Sequence, residues 1–308
     1  MKDRPPFQIL PAARRARVFG TDFALCPQAD GGALYICGSA WHWFDYLNPD
    51  RWWDRTALAV RGERLGASTG TVYRVRSAPE GCRPRDLVVK FSRVAQDVPL
   101  FIPDEFLDSL PKEAVATARF LGPFAEFGML HELRESSLNH GPYRLRTKVP
   151  LGIYSPPEQY PRWQTGRHSD IFHSHLVAMT NDQFENGLTP VALDIGRDYL
   201  GIYEWIDGID AEEAHQQGCL DELALRDLTR QSNLALNRLG YRVLDNKPRH
   251  IIVRPRPDGT LPTRHGETLY ALIDFELLQR HEDGETEPSS RRNSLVPPKR
   301  DFLPPSPI

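Results

Sequence analysis

Alternating apolar and polar positions between residues 56 and 91 predict three short β-strands. The segments Thr-Ala-Leu-Ala-Val-Arg-Gly-Glu-Arg-Leu (56–65) and Thr-Val-Tyr-Arg-Val-Arg (71–76) lie on either side of the small residues at 66–70. Two strand-like segments joined by small residues that include glycine are typical of a β-hairpin. The segment Asp-Leu-Val-Val-Lys-Phe (86–91) predicts the third strand.

Apolar residues at helical spacing predict two helices further along the chain. The first is expected to open near Pro111, because proline suits the first turn of a helix. Its apolar series is Phe120, Phe124, Phe127, Leu130 and Leu133. The second helix is expected over residues 221–239, and Gly240 is a residue type that commonly follows the last helical turn.

The rest of the central region is less regular. Residues 134–195 are mixed in character and predict a loop-rich insertion, with one strand near 148–154. The apolar run Tyr-Leu-Gly-Ile-Tyr-Glu-Trp-Ile (199–206) predicts a buried strand that ends before an Asp-Gly turn. Strands come first and helices later, without a repeating strand–helix–strand series, and this order favours an α+β fold.

The two ends of the chain differ from the centre in composition. Residues 1–55 contain four closely spaced tryptophans, Trp41, Trp43, Trp52 and Trp53. Such large apolar side chains favour an N-terminal extension that packs on the main domain over an exposed binding face. Residues 283–308 are dominated by Pro, Ser, Arg and acidic residues. A segment with so few apolar side chains predicts a disordered tail, because burial cannot offset the entropy lost on ordering.

Composition excludes several classes of function. The formal net charge of −3 and the ordinary charged fraction of 26% give no basic surplus for general nucleic-acid binding. No apolar stretch approaches the roughly 18–20 residues that a membrane-spanning helix needs. The first residues lack the apolar segment of a secretory signal. Four scattered cysteines without a Cys-x-x-Cys pair favour reduced thiols and a cytoplasmic protein.

Two segments near the C-terminal end carry the candidate chemistry. The first is Val-Leu-Asp-Asn-Lys-Pro-Arg-His-Ile-Ile-Val (243–253), a polar turn followed by an apolar run. The second is Ala-Leu-Ile-Asp-Phe-Glu-Leu-Leu (271–278), in which Asp274 ends an apolar run. Two carboxylates at strand edges, with a lysine between them in sequence, suit a site that handles metal-bound phosphate. An exposed turn would account for the first segment alone, since Asp, Asn, Lys and Pro are common in turns.

These segments resemble motifs of the protein-kinase-like superfamily. Residues 245–253 resemble the catalytic loop Asp-Leu-Lys-Pro-Glu-Asn-Ile-Leu-Val, and Ile-Asp-Phe-Glu (273–276) resembles the metal-binding Asp-Phe-Gly. The Asp-Phe-Glu form is similar to that of aminoglycoside and choline kinases. The resemblance covers about 210 residues, from Leu65 to Leu278. It implies a bilobal fold with an antiparallel N-lobe sheet, an αC-type helix and a minimal helical C-lobe.

On this resemblance the chain divides into four parts. Residues 1–55 are the N-terminal extension, and residues 56–198 are an N-lobe-like region that includes the insertion at 134–195. The hinge and the reduced C-lobe occupy residues 199–282, and the tail follows at 283–308.

The resemblance also implies roles for the acidic and basic residues. Asp245 is expected to accept the proton of the acceptor hydroxyl, or to orient it, and Lys247 to lie beside the transferring phosphate. Asp274 is expected to bind the Mg²⁺ that bridges the phosphates of ATP. Lys90, in the third predicted strand, matches the lysine that holds the α- and β-phosphates. Glu126 is the expected partner of Lys90.

Two other glutamates remain possible partners of Lys90, namely Glu132 and Glu113. The separation of Lys90 and Glu126 is long for this superfamily, which implies an added segment around residues 94–118.

Further residues are expected to hold the nucleotide. Leu-Gly-Ala-Ser-Thr-Gly-Thr-Val-Tyr (65–73) resembles the glycine-rich phosphate loop, although the segment alone would be an ordinary hairpin. In this loop and its flanking strands the expected contacts are Gly66, Ser68, Gly70, Val72 and Val88. Residues 203–208 resemble the hinge, with backbone groups of Glu204 and Ile206 facing adenine. Either Asp207 or Asp210 is expected to reach the ribose.

Three departures from the superfamily pattern stand out. His250 occupies the place of the asparagine that is the second ligand of magnesium, and imidazole is a softer ligand than an amide oxygen. Val243 and Leu244 replace the His-Arg before the catalytic aspartate, so no phosphorylated activation loop is expected. The chain continues only a short way past Asp274, which argues against the peptide groove of a Ser/Thr protein kinase.

These observations favour an ATP-dependent phosphotransferase that acts on a hydroxyl of a small molecule or a protein. A pseudokinase-like module that binds a nucleotide or a protein partner without turnover is the alternative, and an unrelated α+β domain is a third possibility. The histidines of the segment Arg-His-Ser-Asp-Ile-Phe-His-Ser-His (167–175) are interpreted as surface residues of a loop rather than as a metal site.

Overall fold

The structure is a computed structural model that describes residues 4–66, 70–99, 115–139, 145–184 and 188–280. Four of the predicted features lie outside these ranges: Ser68, the helix opening near Pro111, Glu113 and the tail at 283–308.

The strands are short and are spread over the whole described chain. The first nine are β1 (Arg15–Val18), β2 (Thr21–Pro27), β3 (Ala33–Cys37), β4 (Trp53–Asp54), β5 (Ala59–Val60), β6 (Glu63–Arg64), β7 (Val72–Ser77), β8 (Arg85–Phe91) and β9 (Arg146–Thr147). They are followed by β10 (Pro150–Ser155), β11 (Leu200–Glu204), β12 (Ile209–Asp210), β13 (Tyr241–Val243), β14 (Ile251–Val253), β15 (Thr263–Arg264), β16 (Glu267–Thr268), β17 (Tyr270–Leu272) and β18 (Leu278–Arg280).

Helices separate these strands. They are α1 (Phe44–Leu47), α2 (Pro123–Asn139), α3 (Arg162–Thr165), α4 (Ser169–Phe184), α5 (Ala211–Gln216) and α6 (Glu222–Arg238). Single turns of 3₁₀ helix occur at Phe7–Ile9, Ala12–Arg14, Pro49–Arg51 and Pro248–His250, and a longer one at Gly38–Trp43. Within the described residues, each helix is too short or too polar to cross a bilayer.

The largest element is an eight-stranded antiparallel sheet with the order β1-β2-β3-β10-β11-β8-β7-β6. The central strand β10 is buried over its whole length. Together with the helices, this sheet confirms the predicted α+β class. It also contains the strands predicted at 71–76, 86–91 and 199–206, within one or two residues at each end.

The N-terminal segment contributes directly to this sheet. Strand β3 pairs with β10, with Tyr35 opposite Ile153, so β1, β2 and β3 continue the sheet beyond the strands predicted from sequence. The four tryptophans of this segment are buried, as their size predicts. The extension is therefore part of the main sheet as well as a layer packed on it.

The strand predicted at 56–65 is divided in two. Strand β5 pairs with β4 in a separate two-stranded ribbon, while β6 pairs with β7 at the edge of the large sheet. Gly62 lies between them, where an added Cβ would lie 2.5 Å from the carbonyl oxygen of Arg74. Only a glycine permits this close approach of the backbone, and the break follows from it.

Helix α2 covers one face of the large sheet. The predicted opening of this helix near Pro111 lies outside the described residues. In the structure it begins at Pro123, after a non-helical segment at 118–122 that contains Phe120. Its Phe124 packs edge-on against the rings of Phe23 and Tyr35, with ring centroids 5.3 and 5.2 Å apart. This aromatic contact joins the N-terminal strands to the helix that carries Glu126.

The segment at 134–195 contains more helix than its loop-rich prediction. Helix α4 packs against β1 through Phe172 and Met179, two buried positions seven residues apart. The residues between them are three polar ones, His173, Ser174 and His175, and three apolar ones, Leu176, Val177 and Ala178. Its three histidines (His168, His173 and His175) are accordingly at or within a helix rather than in a loop.

The C-terminal part is built on a second, four-stranded sheet with the order β12-β14-β17-β9. Strands β14 and β17 are antiparallel, with Ile251 opposite Leu272, and β13 pairs with β18. Helix α6 begins where the Asp221 side chain accepts a hydrogen bond from the Ala224 amide at 2.7 Å. These pairings bring the segments after β13 and after β17 to one place.

Candidate functional site

Lys90 and Asp274 meet in an ion pair, although 184 residues separate them in sequence. Lys90 lies on β8, and its Nζ is 2.7 Å from Oδ1 of Asp274, which follows β17. Burial disfavours both charges, but the pairing is stronger: it holds the pKa of Lys90 above its ordinary value and that of Asp274 well below. The two residues are therefore charged in the folded protein.

His250 contacts the other oxygen of the same carboxylate. Its Nε2 lies 3.4 Å from Oδ2 of Asp274, and its Nδ1 is buried without a hydrogen-bond partner. Its carbonyl oxygen accepts a hydrogen bond from the Ile273 amide at 3.1 Å, which ties the two motif segments together. Burial is the main cause of the lowered pKa of His250, and it favours the neutral imidazole.

Asp245 and Lys247 lie in the loop between β13 and β14. Lys247 Nζ is 3.0 Å from Oδ2 of Asp245, and both side chains are partly exposed. Asn246 anchors this loop to α6 by donating hydrogen bonds to Ser232 Oγ at 2.8 Å and to Asn233 Oδ1 at 2.7 Å. Asp245 also acts electrostatically on the imidazole of His250. The loop and the Asp274 segment thus form one polar site.

Glu126, the expected partner of Lys90, binds a different lysine. On α2, its Oε1 accepts hydrogen bonds from Lys148 Nζ at 2.6 Å and from the Tyr203 hydroxyl at 2.9 Å. Lys90 turns instead to Asp274 and Glu276, so the expected contact between Lys90 and Glu126 is replaced. The physical reason is a second buried cation, Lys148, which lies closer to the helix glutamate.

The other possible glutamate partner of Lys90 also has its own cation. Glu132 pairs with Arg280 at the end of β18, with Arg280 Nε 3.1 Å from Oε1 of Glu132.

Three charged residues complete the site without having been assigned a role from sequence. Glu276, the last residue of Asp-Phe-Glu, lies 3.3 Å from Lys90 Nζ and also pairs with Arg93, whose Nε is 2.9 Å from Oε2 of Glu276. Arg93 comes three residues after Lys90, and Lys148 follows Arg146 and Thr147 just before β10. This polar context gave no signal in the sequence that Lys148 is buried.

The glycine-rich segment approaches these cations. A Cβ added to Gly70 would lie 3.9 Å from Cε of Lys90 and 3.7 Å from Nε of Arg93. Gly66 faces open space within 4 Å. Val72 lies directly opposite Lys90 in the sheet, and Val88 is opposite Tyr203. Of the described glycines of the predicted phosphate loop, Gly70 is therefore next to Lys90, whereas a Cβ added to Gly66 would have no described neighbour within 4 Å.

The predicted hinge leads from the large sheet into the C-terminal part. The amide of Glu204 donates a hydrogen bond to the carbonyl of Val149 at 3.1 Å, so this backbone group already has an acceptor. Ile206 is partly buried. The Asp210 carboxylate accepts a hydrogen bond from the Glu213 amide at 2.8 Å and caps α5. Asp207 accepts a hydrogen bond from the Trp205 indole at 3.1 Å.

A divalent cation would find few protein ligands here. Within the described ranges, no group of three or more His, Cys, Asp or Glu side chains is arranged to hold a metal ion. The Asp274 carboxylate and the His250 imidazole, which lie 3.4 Å apart, could supply oxygen and nitrogen ligands to one ion. Two protein donors suit an ion whose other ligands are water and substrate phosphate, as is usual for Mg²⁺. Asp274 and His250 therefore fit a magnesium ion when water and substrate phosphate supply its other ligands.

Comparison with known proteins gives little further information. No family model and no curated protein matches this chain. One similar solved structure is the co-crystal structure of WbdD and the kinase inhibitor LY294002, with 14% sequence identity and a TM-score of 0.28. The likeness covers 74% of this chain and 43% of that one, so the chain spans less than half the length of the solved structure.

Proposed function

We propose that the protein is an ATP-dependent phosphotransferase of an atypical kinase-like fold. It transfers the γ-phosphoryl group to a hydroxyl of a small molecule or of a protein. The observation that carries the proposal is the 2.7 Å contact between Lys90 and Asp274, with His250 on the second oxygen of the same carboxylate. A cation and a metal-binding carboxylate that converge from distant segments are what phosphoryl transfer requires.

The arrangement of elements supports the same reading. Lys90 lies on a strand of the antiparallel sheet, and helix α2 carries Glu126, whose charge acts on Lys90. The β14–β17 hairpin carries His250 at its beginning and Asp274 just after its end. These positions support the proposal, because the sequence resemblance implies an N-lobe sheet, an αC-type helix and a catalytic hairpin.

The residues have complementary roles in the proposed reaction. Lys90 neutralises phosphate charge next to the glycine-rich segment. Asp245 accepts the proton of the acceptor hydroxyl or orients it, and its carboxylate is partly exposed so that an acceptor can reach it. Lys247 lies 3.0 Å from Asp245 and balances charge on the transferring group. Asp274 and His250 would hold the magnesium ion, which supplies neutralisation of the phosphate oxygens when bound.

The strand and hinge residues suit the rest of the nucleotide. Val72 and Val88 provide apolar surface for adenine from β7 and β8. Glu204 and Ile206 lie where the chain leaves the sheet, and Ile206 offers its backbone groups there. Asp210 already caps α5, so it would reach the ribose with its second carboxylate oxygen.

A nucleotide- or protein-binding module without turnover is the second candidate. It is favoured by two observations: the Lys90 ammonium is already paired with two carboxylates, and an imidazole occupies the position of the second metal ligand. Both features weaken the binding of a metal–phosphate complex in the site without excluding it. Binding and turnover must therefore be measured separately.

Thermal unfolding with and without Mg²⁺-ATP tests nucleotide binding. Binding to the folded state alone should raise the midpoint by roughly 5 °C at about 100 times the Kd. Asp274→Asn should abolish the rise, because it removes charge from the metal ligand. Asp227→Asn, the same substitution on the exposed face of α6, is the matched control and should keep the rise. A parent protein whose midpoint stays constant would remove the nucleotide hypothesis.

Turnover separates the two candidates. Asp245→Asn should bind Mg²⁺-ATP like the parent but lose the hydrolysis or transfer of the γ-phosphate, because a neutral amide is a poor proton acceptor. Release of phosphate and transfer to candidate acceptors are the measurements. If the parent binds the nucleotide without any turnover, the binding module is the better description.

A further inference from the structure

Arg93 is a second cation of the candidate site, and the roles proposed above leave it without one. Its Nε lies 2.9 Å from Oε2 of Glu276, and its Nη2 contacts the same oxygen. Lys90 Nζ is 3.3 Å from that oxygen. One buried carboxylate therefore holds two cations side by side.

An aromatic ring holds the guanidinium of Arg93 from another side. Its Cζ lies 4.0 Å from the centre of the ring of Phe120, which is buried. The amide of Leu121, the next residue, donates a hydrogen bond to the carbonyl oxygen of Glu276 at 2.9 Å. The segment before α2 and the segment after β17 are thus tied together, and both contact Arg93. The position of this cation is fixed by contacts with two separate segments.

The same guanidinium lies beside the glycine-rich segment. A Cβ added to Gly70 would lie 3.7 Å from Nε of Arg93 and 3.9 Å from Cε of Lys90. The backbone of the predicted phosphate loop therefore passes close to both cations at this residue. A phosphate group held by the loop near Gly70 would meet positive charge from two side chains.

The chemistry of arginine suits this place. A guanidinium carries five N–H donors in a planar fork, which matches the oxygens of a phosphate group. Hydrogen bonds between arginine and phosphate are charge-assisted and are stronger than those between neutral groups. The Arg93 side chain is 15% exposed, so a ligand can reach it, and its Nε and Nη2 meet Glu276 at a single oxygen. A fixed cation that remains accessible next to Lys90 has the properties of an anion-binding residue.

We propose that Arg93 is a second phosphate-binding residue of the candidate site and holds the polyphosphate of a nucleotide together with Lys90. The inference rests on the proposed function for the identity of the ligand. The arrangement of charge is independent of adenine, because two cations beside Gly70 would attract any polyphosphate anion.

Calorimetric titration of Arg93→Met tests this role. Methionine keeps part of the apolar contact with Phe120 and removes the charge. The Kd for Mg²⁺-ATP should rise roughly ten- to a hundredfold, the usual effect of losing one charge-assisted contact. The Kd for adenosine, which has no phosphate, should stay within about twofold of the parent value. An unchanged Kd for Mg²⁺-ATP, or equal losses for the two ligands, would overturn the proposal.

Arg280→Met is the matched control. It also removes a partly buried arginine that pairs with a glutamate, since Arg280 Nε lies 3.1 Å from Oε1 of Glu132. Its partner is on α2 rather than in the Asp-Phe-Glu segment. The variant should therefore keep the parent Kd for Mg²⁺-ATP, and a loss as large as that of Arg93→Met would count against a specific role for Arg93.

A crystal structure of the parent with Mg²⁺ and a non-hydrolysable ATP analogue gives the direct answer, even if Arg93→Met fails to fold. A guanidinium nitrogen of Arg93 is expected within hydrogen-bond distance of a phosphate oxygen. Phosphates that bind out of reach of Arg93 would show that its pairing with Glu276 is purely structural.

Inorganic tripolyphosphate separates this inference from the proposed function. A parent that binds tripolyphosphate but not Mg²⁺-ATP would contradict the nucleotide function alone, and weaker tripolyphosphate binding by Arg93→Met would still support the two-cation site. A parent that binds Mg²⁺-ATP no more tightly than Arg93→Met does would contradict the role of Arg93 alone. A parent that binds neither ligand would overturn both.

Discussion

At the scale of single residues, buried ionisable side chains determine how this protein responds to pH. His175 lies on α4, with its ring next to Gly122 and in the field of Arg119. Burial, assisted by that positive charge, lowers the pKa of His175 from 6.5 to about 4. The folded protein therefore keeps this imidazole neutral at pH values where the unfolded chain protonates it.

The unfolding free energy should consequently fall as the pH decreases from about 6.5 to about 4. In that range the unfolded state binds the proton of His175 and the folded state does not, so protonation favours unfolding. The contribution is complete above pH 6.5 and is lost by about pH 4. Urea unfolding of the parent and of His175→Gln across this range is the measurement, and the variant should show a shallower decline.

Ser174→Ala, an uncharged change on the exposed face of the same helix, controls for the loss of a polar side chain. It should reproduce the slope of the parent. Equal slopes in His175→Gln and the parent would show that this histidine is protonated in the folded protein as readily as in the unfolded chain.

At the scale of elements, helix α2 depends on one close contact with the turn between β1 and β2. Gly128 lies in the middle of the helix, where an added Cβ would lie 2.5 Å from the carbonyl oxygen of Phe19. The Phe19 amide donates to Asp182 of α4 at 2.6 Å, so the turn is held between two helices. The turn cannot retreat from α2 without breaking its contact to α4.

Gly128→Ala should therefore destabilise the protein by about 1–2 kcal/mol. Alanine gains about 1 kcal/mol in helix propensity over glycine, but a Cβ in a filled position typically costs about 1–3 kcal/mol and here meets backbone. Urea denaturation measures the change, with Glu135→Ala on the exposed face of the same helix as control. A more stable Gly128→Ala variant would mean that the turn moves freely and that helix propensity dominates.

The sequence predicted these elements better than it predicted their contacts. Apolar spacing identified α2 and α6, alternation identified β7 and β8, and an apolar run identified β11, because these patterns are local properties of the sequence. The added strands β1, β2 and β3 were missed; β3 joins them to the main sheet through β10, whose residues lie more than 100 positions away. Helix α4 was missed because its buried positions mix the apolar Phe172 and Met179 with the polar Gln183, while the apolar Val177 is exposed.

In the candidate site, too, the sequence predicted the residues better than their contacts. Lys90, Asp245 and Asp274 were identified from short motifs, and the structure brings Lys90 and Asp274 into contact. The assignment of Glu126 to Lys90 did not hold, because two lysines compete for the carboxylates and only the folded distances decide between them. Lys148 illustrates the limit: it ends the polar sequence Arg-Thr-Lys (146–148), and nothing in that pattern indicates a buried charge or the acid that it binds.

At the scale of the whole molecule, the N-terminal strands and the candidate site belong to one packed unit. Strand β3 covers the edge of β10, whose six residues are buried. The rings of Phe23 on β2 and Phe124 on α2 are 5.3 Å apart and join this addition to the helix that carries Glu126. We therefore expect the N-terminal strands to unfold together with the central sheet rather than before it.

Phe23→Ala tests this cooperativity. Phe23 is fully buried and its ring also lies 6.4 Å from that of Phe127, so truncation should cost about 3–5 kcal/mol of unfolding free energy. Tryptophan fluorescence, which reports mainly on the N-terminal segment, and far-UV circular dichroism should give the same lowered urea midpoint. Phe184→Ala, the same substitution at a side chain that is 89% exposed, should change the free energy by less than about 0.5 kcal/mol. Two separate transitions in Phe23→Ala, with fluorescence changing first, would instead mean that the added strands are an independent layer and that the site folds without them.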